Sequence, residues 1–411
     1  MTGPSMRPAE IRAEWPAGDD LDALKSTGWR PAPIRQFVLK VHSRCNLACD
    51  YCYVYRMADQ TWRDRPLVMS TEVVRLAADR IAEHARRHRI PRVGVVLHGG
   101  EPLLAGAAFY DTLARTFRQR LPATTSVLLT VQSNGVLLTV PILDVLGEHE
   151  ISVAVSLDGA VAAHDRHRRY PDGRGSYADV ARGLDLLNSD PYRRLFSGLL
   201  CTVDLAQDPV ASYESLLTFA PPRLDFLLPH GNWTTPPPGR TRDPAATPYA
   251  DWLGALFDRW YSAAEEETEL RMFREIIHLL LGGVSHLESI GLAPSTVAVI
   301  ETDGSLEQAD ALKSAYAGAA ATGLHLATNP VDDLLGHPAV VARQSGLAAL
   351  AGECRGCSVR DVCGGGFYPH RYRSGSGFRN PSVYCPDLLA LIRHIRARVV
   401  RDIGRLAGTA R

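Results

Sequence analysis

Six short, nearly uninterrupted apolar runs punctuate the first half of the chain: QFVLKVH (36–42), RVGVVLH (92–98), SVLLTVQ (126–132), ISVAVSL (151–157), SGLLCTV (197–203) and LDFLLPH (224–230). A sheet with one wet face would alternate apolar and polar residues. Continuous runs are the pattern of parallel strands covered on both faces. Helical stretches lie between them. The clearest is STEVVRLAADRIAEHARR (70–87), with Ser70 placed to cap, Glu72 in the first turn and basic residues at the end, where cations complement the helix dipole. Six such βα units in succession predict an α/β fold, a partial TIM-like (β/α)6 barrel over residues 34–233.

Residues 1–33 read as an N-terminal segment. A Pro-rich linker, TTPPPGRTRDPAATP (234–248), follows the barrel, and helices are expected near 249–263 and 266–282. The second carries Leu270, Phe273, Ile277 and Leu281 on one helical face, and linker and helices together span 234–290. A hairpin-like TVAVIETDGSLEQAD (296–310), a helical and loop stretch and an Arg-rich helix (386–404) make up a smaller second domain, 291–411.

Lys+Arg and Asp+Glu both number 45, so bulk charge points to neither nucleic acid nor an acidic membrane as a partner. The N-terminus has no apolar stretch of signal-peptide length, and no segment has about 18 uninterrupted apolar residues. A cytoplasmic enzyme is the expectation. Eight cysteines in such a chain are metal ligands or catalytic groups before they are disulfides. They fall as three at 45–52, four at 354–385, and Cys201, which reads as a small hydrophobe within an apolar strand.

In RCNLACDYCYVY (44–55), Cys45, Cys49 and Cys52 follow the first strand at the rim where barrels assemble active sites. A closed four-iron cluster takes four thiolates, so three would leave one iron open for a ligand. Taken alone, the triplet is also compatible with part of a zinc site. The spacing C-x3-C-x2-C, with Tyr51 before the third cysteine, resembles the signature of the radical S-adenosylmethionine (SAM) superfamily, in which SAM supplies the fourth ligand. That resemblance implies roles for motifs at the next strand ends. In HGGEP (98–102), Gly99, Gly100 and Glu101 would meet the methionyl ammonium. Ser133 and Asn134 of QSNG, with Ser156 and Asp158 of SLDG, would line the SAM pocket, Ser156 near the ribose. In HDRHRRYPDGRGSY (164–177), Arg168 would meet the SAM carboxylate, with Arg166 and Arg169 as competitors. Each motif singly is ordinary turn chemistry; their order after the triplet carries the resemblance, which covers roughly 35–230.

Cys354, Cys357, Cys363 and Cys385 follow C-x2-C-x5-C-x21-C. Spacing alone suggests structural zinc. Downstream of a radical SAM barrel, the region resembles the SPASM domain, which carries auxiliary four-iron clusters in peptide-modifying enzymes. The full pattern has seven cysteines; here Phe367 and Ala309 occupy two expected positions, and no cysteine lies in 204–353. The resemblance therefore implies one auxiliary [4Fe-4S] cluster on the four cysteines beside the SAM-binding [4Fe-4S] cluster on three. Asp310 stands where sulfatase-maturing relatives carry a base.

Over nearly its whole length the chain resembles the FxsB group of cyclophane-forming peptide maturases. The stretches that carry this are WRPAPIRQFVLKVHSRCNLACDYCYVYRMADQTWRDRP (29–66), LLCTVDLAQDPVA (199–211), DFLLPHGNW (225–233), VIETDGSLEQADALK (299–313) and GGGFYPHRYRSGSGFRNPSVYC (364–385). The implied reaction joins an aromatic ring carbon to the β-carbon of a residue two positions later in a ribosomally made precursor peptide. A 5′-deoxyadenosyl radical takes a β-hydrogen and the carbon radical adds to the ring. Asp310 then takes a proton and the auxiliary cluster an electron. A protein reductant such as flavodoxin or ferredoxin is the second implied partner. His230, Asn232, Trp233, His370, Arg371 and Tyr372 are the candidate peptide contacts. Competing readings are a formylglycine-forming sulfatase-type maturase, a thioether-forming maturase and, from another class, a non-catalytic metal-containing peptide-binding protein.

Overall fold

The computed structural model of the chain describes residues 21–240, 243 and 245–409. The first twenty residues of the N-terminal segment, and Thr241, Arg242 and Pro244 of the linker, lie outside the described residues. The six apolar runs form β1 (Gln36–His42), β2 (Arg92–Gly99), β3 (Ser126–Ser133), β4 (Ser152–Ser156), β5 (Phe196–Thr202) and β6 (Arg223–Leu227), all parallel in chain order. A two-residue β7 (Glu269–Leu270) extends the β6 edge. At the other edge, β8 (Val297–Ile300) pairs parallel with β1, and the hairpin continues antiparallel through β9 (Ser305–Glu307) to β10 (Ala321–His325). The second domain's hairpin thus continues the barrel's own sheet, ten strands in all.

Burial along β2–β4 alternates although the sequence does not. Val95, Leu97, Leu129, Val131, Val153 and Val155 are buried; Val96, His98, Thr130, Gln132, Ala154 and Ser156 are partly accessible. One face is sealed by helices and the other lines the concave interior of a half-open barrel. The helix Thr71–Arg87 buries Val74, Ala77, Ala78, Ile81, Ala82 and Ala85, at spacings of three and four that make one stripe. Ser70 caps it, its Oγ accepting from the Val73 N–H at 3.2 Å.

The expected helix at 266–282 is shorter, Arg271–Leu280, because Glu269–Leu270 pairs with β6. Its buried residues are Phe273, Glu275 and Ile276, whereas Leu270 is buried in β7 and Leu281 is 63% exposed just past the helix end. Helix Pro248–Tyr261 packs along the terminal helix Cys385–Thr409, whose Asp387 accepts from the Tyr249 and Ala250 N–H groups at 2.9 and 3.2 Å. No helix among the described residues is long and apolar enough to cross a membrane.

Candidate active site

Every strand-end motif falls on the C-terminal rim. Cys45, Cys49 and Cys52 sit on the loop after β1, partly accessible, with their thiols mutually coupled. Burial, then the Glu101 charge and the other two sulfurs, push the Cys45 thiol up to about 12; burial pushes Cys49 up to about 11, against the pull of Arg168. Three unprotected thiolates crowded beside a carboxylate are costly, and a positively charged metal centre is what would relieve them. The Leu47 N–H points at the Cys45 Sγ at 3.3 Å, and Asn134 donates to the Asn46 side chain at 2.8 Å, fixing the loop.

Glu101 is fully buried. It accepts from the Ser133 hydroxyl (2.8 Å), the Leu103 N–H (2.9 Å) and the Asn134 N–H (2.8 Å), yet burial still pushes its carboxyl up to about 7. Ser133 and Asn134 therefore position Glu101 and the cysteine loop. The glycine pair has a packing reason beyond ligand approach. A Cβ on Gly99 would lie 2.2 Å from the His42 carbonyl oxygen, and one on Gly100 1.9 Å from the Tyr55 hydroxyl and 2.3 Å from the Arg44 carbonyl. Only bare backbone lets the end of β2 lie against the cysteine loop.

Asp158 is buried and accepts from the Tyr51 hydroxyl, the Thr202 N–H (2.9 Å) and Arg168 Nε (2.9 Å). Burial would lower the Arg168 guanidinium, but Asp158 overrides it and holds it well above its ordinary range. Of the three candidate arginines, Arg168 alone enters the site. Arg166 is half-exposed, 3.5 Å from Asp204, and Arg169 turns back to the Asp165 carbonyl at 2.6 Å. Ser156 accepts from Gln132 at 3.1 Å; Gln132 was absent from the sequence-based candidates.

Beyond the cysteines, Tyr53, His98, His230 and Phe367, each partly accessible, gather near Asp310. Asp310 is buried, accepting from Lys40 Nζ at 2.6 Å and from the Tyr53 hydroxyl at 2.7 Å, with Lys313 Nζ 3.1 Å away. Burial would raise the Asp310 carboxyl; Lys40, Lys313 and His98 outweigh it and hold the group well below the usual carboxylate range. Lys40, Tyr53 and His98 are functional candidates that sequence reasoning missed. The available signal was Lys40 itself, a cation in the middle of a buried apolar strand, which must be paired.

The six candidate peptide contacts divide. His230 lies 4.6 Å from the Tyr53 ring, and His370 packs behind it at 6.0 Å; His230 Nδ1 and His370 Nε2 are buried without a partner. The other four make contacts within the chain. Asn232 donates to the Ser314 carbonyl and accepts from the Thr234 and Thr235 N–H groups. Trp233 donates to the Pro381 carbonyl at 2.7 Å beneath Arg373. Arg371 spans the Gly364 and Gly366 carbonyls, at 2.6 and 2.7 Å, and Tyr372 packs among Tyr316 and Phe378.

Cys354, Cys357, Cys363 and Cys385 converge where two short helices meet the terminal helix, and burial pushes Cys354 up to about 11 and Cys363 up to about 12. Gly364–Gly366 all take positive φ (59°, 79° and 71°), which wraps the loop tightly around Cys363. Among the described residues three groups of His, Asp and Glu bring ligating atoms within 4.8 Å of one another, and none of them is one of the cysteine sets. Ala309 is buried in an apolar cluster with Leu312, Tyr368, Tyr372 and Phe378. Cys201 is 3% exposed within the core, as expected of a small hydrophobe.

Residues 39–200 match the model of the radical SAM superfamily. Among curated proteins, the serine-type anaerobic sulfatase-maturating enzyme of Klebsiella aerogenes is 25% identical over 88% of this chain and 87% of its own length. The enzyme of the same name from Bacteroides thetaiotaomicron is 31% identical, over 40% of this chain and 39% of its own length. Among solved structures, an anaerobic sulfatase-maturating enzyme described as native anSMEcpe with bound AdoMet superposes with a TM-score of 0.77 at 21% identity, covering 89% of this chain and 98% of that one. Streptococcus suis SuiB bound to the precursor peptide SuiA reaches 0.53 at 14% identity, covering 88% and 78%. Residues 39–200 thus carry a radical SAM domain, followed toward the C-terminus by a region with a second set of cysteines.

Proposed function

We propose that the chain is a peptide maturase that joins an aromatic ring carbon to the β-carbon of a residue two positions downstream in a ribosomally made precursor, forming a three-residue cyclophane. The observation that carries this reading is the packing at Ala309, enclosed by Leu312, Tyr368, Tyr372 and Phe378, while Phe367 lies against His230 and His370. The positions where the SPASM pattern has further cysteines are thus taken by packed and aromatic groups, leaving one four-cysteine set. A net two-electron oxidation of a peptide needs one outlet for an electron and one for a proton, and the Cys354–Cys385 set and Asp310 answer those two needs.

Cys45, Cys49 and Cys52 would hold a [4Fe-4S] cluster, with Glu101 facing the SAM ammonium and Arg168, held by Asp158, its carboxylate. When bound, cluster and SAM supply hydrogen removal from an unactivated carbon. The chain's own groups orient the peptide and move protons. His230 is neutral, burial holding it down to about 4, and with Tyr53 and Phe367 it offers an uncharged aromatic wall to an aromatic side chain. Asp310, anionic against Lys40 and Lys313, receives the proton lost as the ring regains aromaticity.

A second reading, formylglycine formation at one Ser or Cys, is favoured by the names of the sulfatase-maturating relatives. Mass spectrometry of a precursor peptide encoded beside this chain, treated with wild-type enzyme and with Cys45→Ala, separates the two. Loss of two hydrogens per ring, bridging an aromatic residue and its partner on fragmentation and absent with Cys45→Ala, supports the cyclophane. The same loss confined to a single Ser, or the conversion of a single Cys CH2–SH to an aldehyde with its sulfur replaced by oxygen from water, replaces it with the formylglycine reading.

A further inference from the structure

Behind Asp310 lies a concentration of buried charge. Lys40, Lys313, Glu301, Glu307 and Asp310 all have side chains less than 10% exposed. Lys313 faces three carboxylates at once: Glu301, Glu307 (Oε2, 3.0 Å) and Asp310 (Oδ1, 3.1 Å). With Arg65 and Asp303, which adjoin Glu307, three cations face four carboxylates, leaving one negative charge over. A low-dielectric interior penalises that surplus and favours a bound proton. Arg65 pairs with Glu307 Oε1 at 2.9 Å and with Asp303, which is 32% exposed, and so marks a way from Glu307 to solvent.

Two atoms single out the route. Asp310 Oδ2 is saturated by Lys40 and Tyr53, whereas Asp310 Oδ1 is buried and faces Lys313. On the other side of Lys313 lies Glu307 Oε2, also buried. The two oxygens bracket the same ammonium at 3.1 and 3.0 Å. We propose that Glu307, reached from Asp310 through Lys313, is the terminal acceptor for the proton that leaves the peptide. The proton is delivered to the Asp310 carboxyl; Lys313 takes it from the Oδ1 side as it passes one of its own three to Glu307 Oε2. Lys313 ends as it began and Glu307 ends neutral. The charges facing these groups agree with that direction. Burial, against Lys313 and with Glu301, brings Glu307 up to about 7, while Lys40, Lys313 and His98 keep Asp310 anionic. Asp310 meets the substrate, then, and Glu307 is where the proton rests.

The role of Asp310 rests on the proposed reaction; the location of the resting proton does not, and the test treats them separately. Infrared difference spectra of the cluster-reconstituted holoenzyme, titrated from about pH 5 to about pH 9 without peptide, read the protonated-carboxyl C=O band. The expected result is a component titrating near neutrality that disappears in Glu307→Gln and persists in both Asp310→Asn and Glu101→Gln. A wild type without that component, or one unchanged in Glu307→Gln, overturns the proposal. With a precursor that wild type crosslinks, Glu307→Gln should lower kcat by about tenfold or more, with KM for the peptide retained and the neutral-pH step in kcat removed; Glu307→Asp should restore part of it. An unchanged pH profile in Glu307→Gln also overturns the proposal. If wild type crosslinks no precursor, the proposed reaction fails while the infrared result still decides where the proton rests.

Discussion

Replacing Glu101 by glutamine should remove a pH-dependent cost from the SAM-free protein while destroying its ability to bind SAM. Glu101 is fully buried, and its carboxyl rises from an ordinary 4.5 to about 7. Each unit is worth about 1.36 kcal/mol, so keeping the ionised carboxylate in its pocket costs the folded state about 3 kcal/mol. The sign follows from proton counts. Between pH 4.5 and 7 the folded chain holds a proton that the unfolded chain has released, so stability falls as pH rises through that window and is level above it. Glutamine cannot ionise and escapes this cost. It places an NH2 against the Asn134 N–H, however, a pH-independent loss of about 1–3 kcal/mol. The informative quantity is therefore the difference between variant and wild type at two pH values. Urea unfolding at matched cluster loading should favour Glu101→Gln by about 3 kcal/mol more at pH 8 than at pH 4.5. Adding SAM at pH 8 should stabilise wild type and leave the variant unmoved. Parallel pH dependences would refute the buried-charge account; a variant that still binds SAM would refute the role given to Glu101.

Cys45→Ala and Cys385→Ala should each lose about four irons per chain, and the iron remaining in one variant should give the spectral signature missing from the other, checked by iron analysis and electron paramagnetic resonance. Gly100→Ala puts a methyl 1.9 Å from the Tyr55 hydroxyl and 2.3 Å from a backbone carbonyl; it should cost about 3 kcal/mol or more and depress the yield of cluster-loaded protein. Lys40→Met removes one partner of a buried ion pair and should destabilise by about 3–5 kcal/mol, whereas Lys40→Met combined with Asp310→Asn should recover part of that loss in thermal unfolding.

The barrel was legible in the sequence because its signal is local: each strand is an apolar run, and each helix has a one-face stripe and an end that caps. Glu269–Leu270 was not, since a two-residue strand has no period to detect and exists only because Arg223–Leu224 lies alongside. Both cysteine sets could be found from spacing, yet spacing alone could not separate zinc from a cluster; their order relative to the strand-end motifs is what pointed to clusters. The intramolecular partners of Asn232, Trp233 and Arg371 were not legible either: they are carbonyls such as those of Ser314, Pro381 and Gly364, far off in the chain or reached only through a tight turn. Lys40 escaped for the same reason: its partner Asp310 lies some 270 residues away.

The pairing of β1 with β8 has a consequence for how the chain is made. The outer edge of β1, Gln36 to Leu39, is completed by Val297 to Ile300, about 260 residues later. At roughly 5–20 residues per second, a ribosome needs on the order of 13–50 s to deliver the partner. Until then an apolar strand stands with one edge unpaired, in reach of any other nascent strand, and Lys40 has no carboxylate to answer it. Cutting the chain near residue 290 would make that interval permanent, so the cysteine-bearing extension is no removable appendage: without it the barrel lacks a wall and carries a stranded charge.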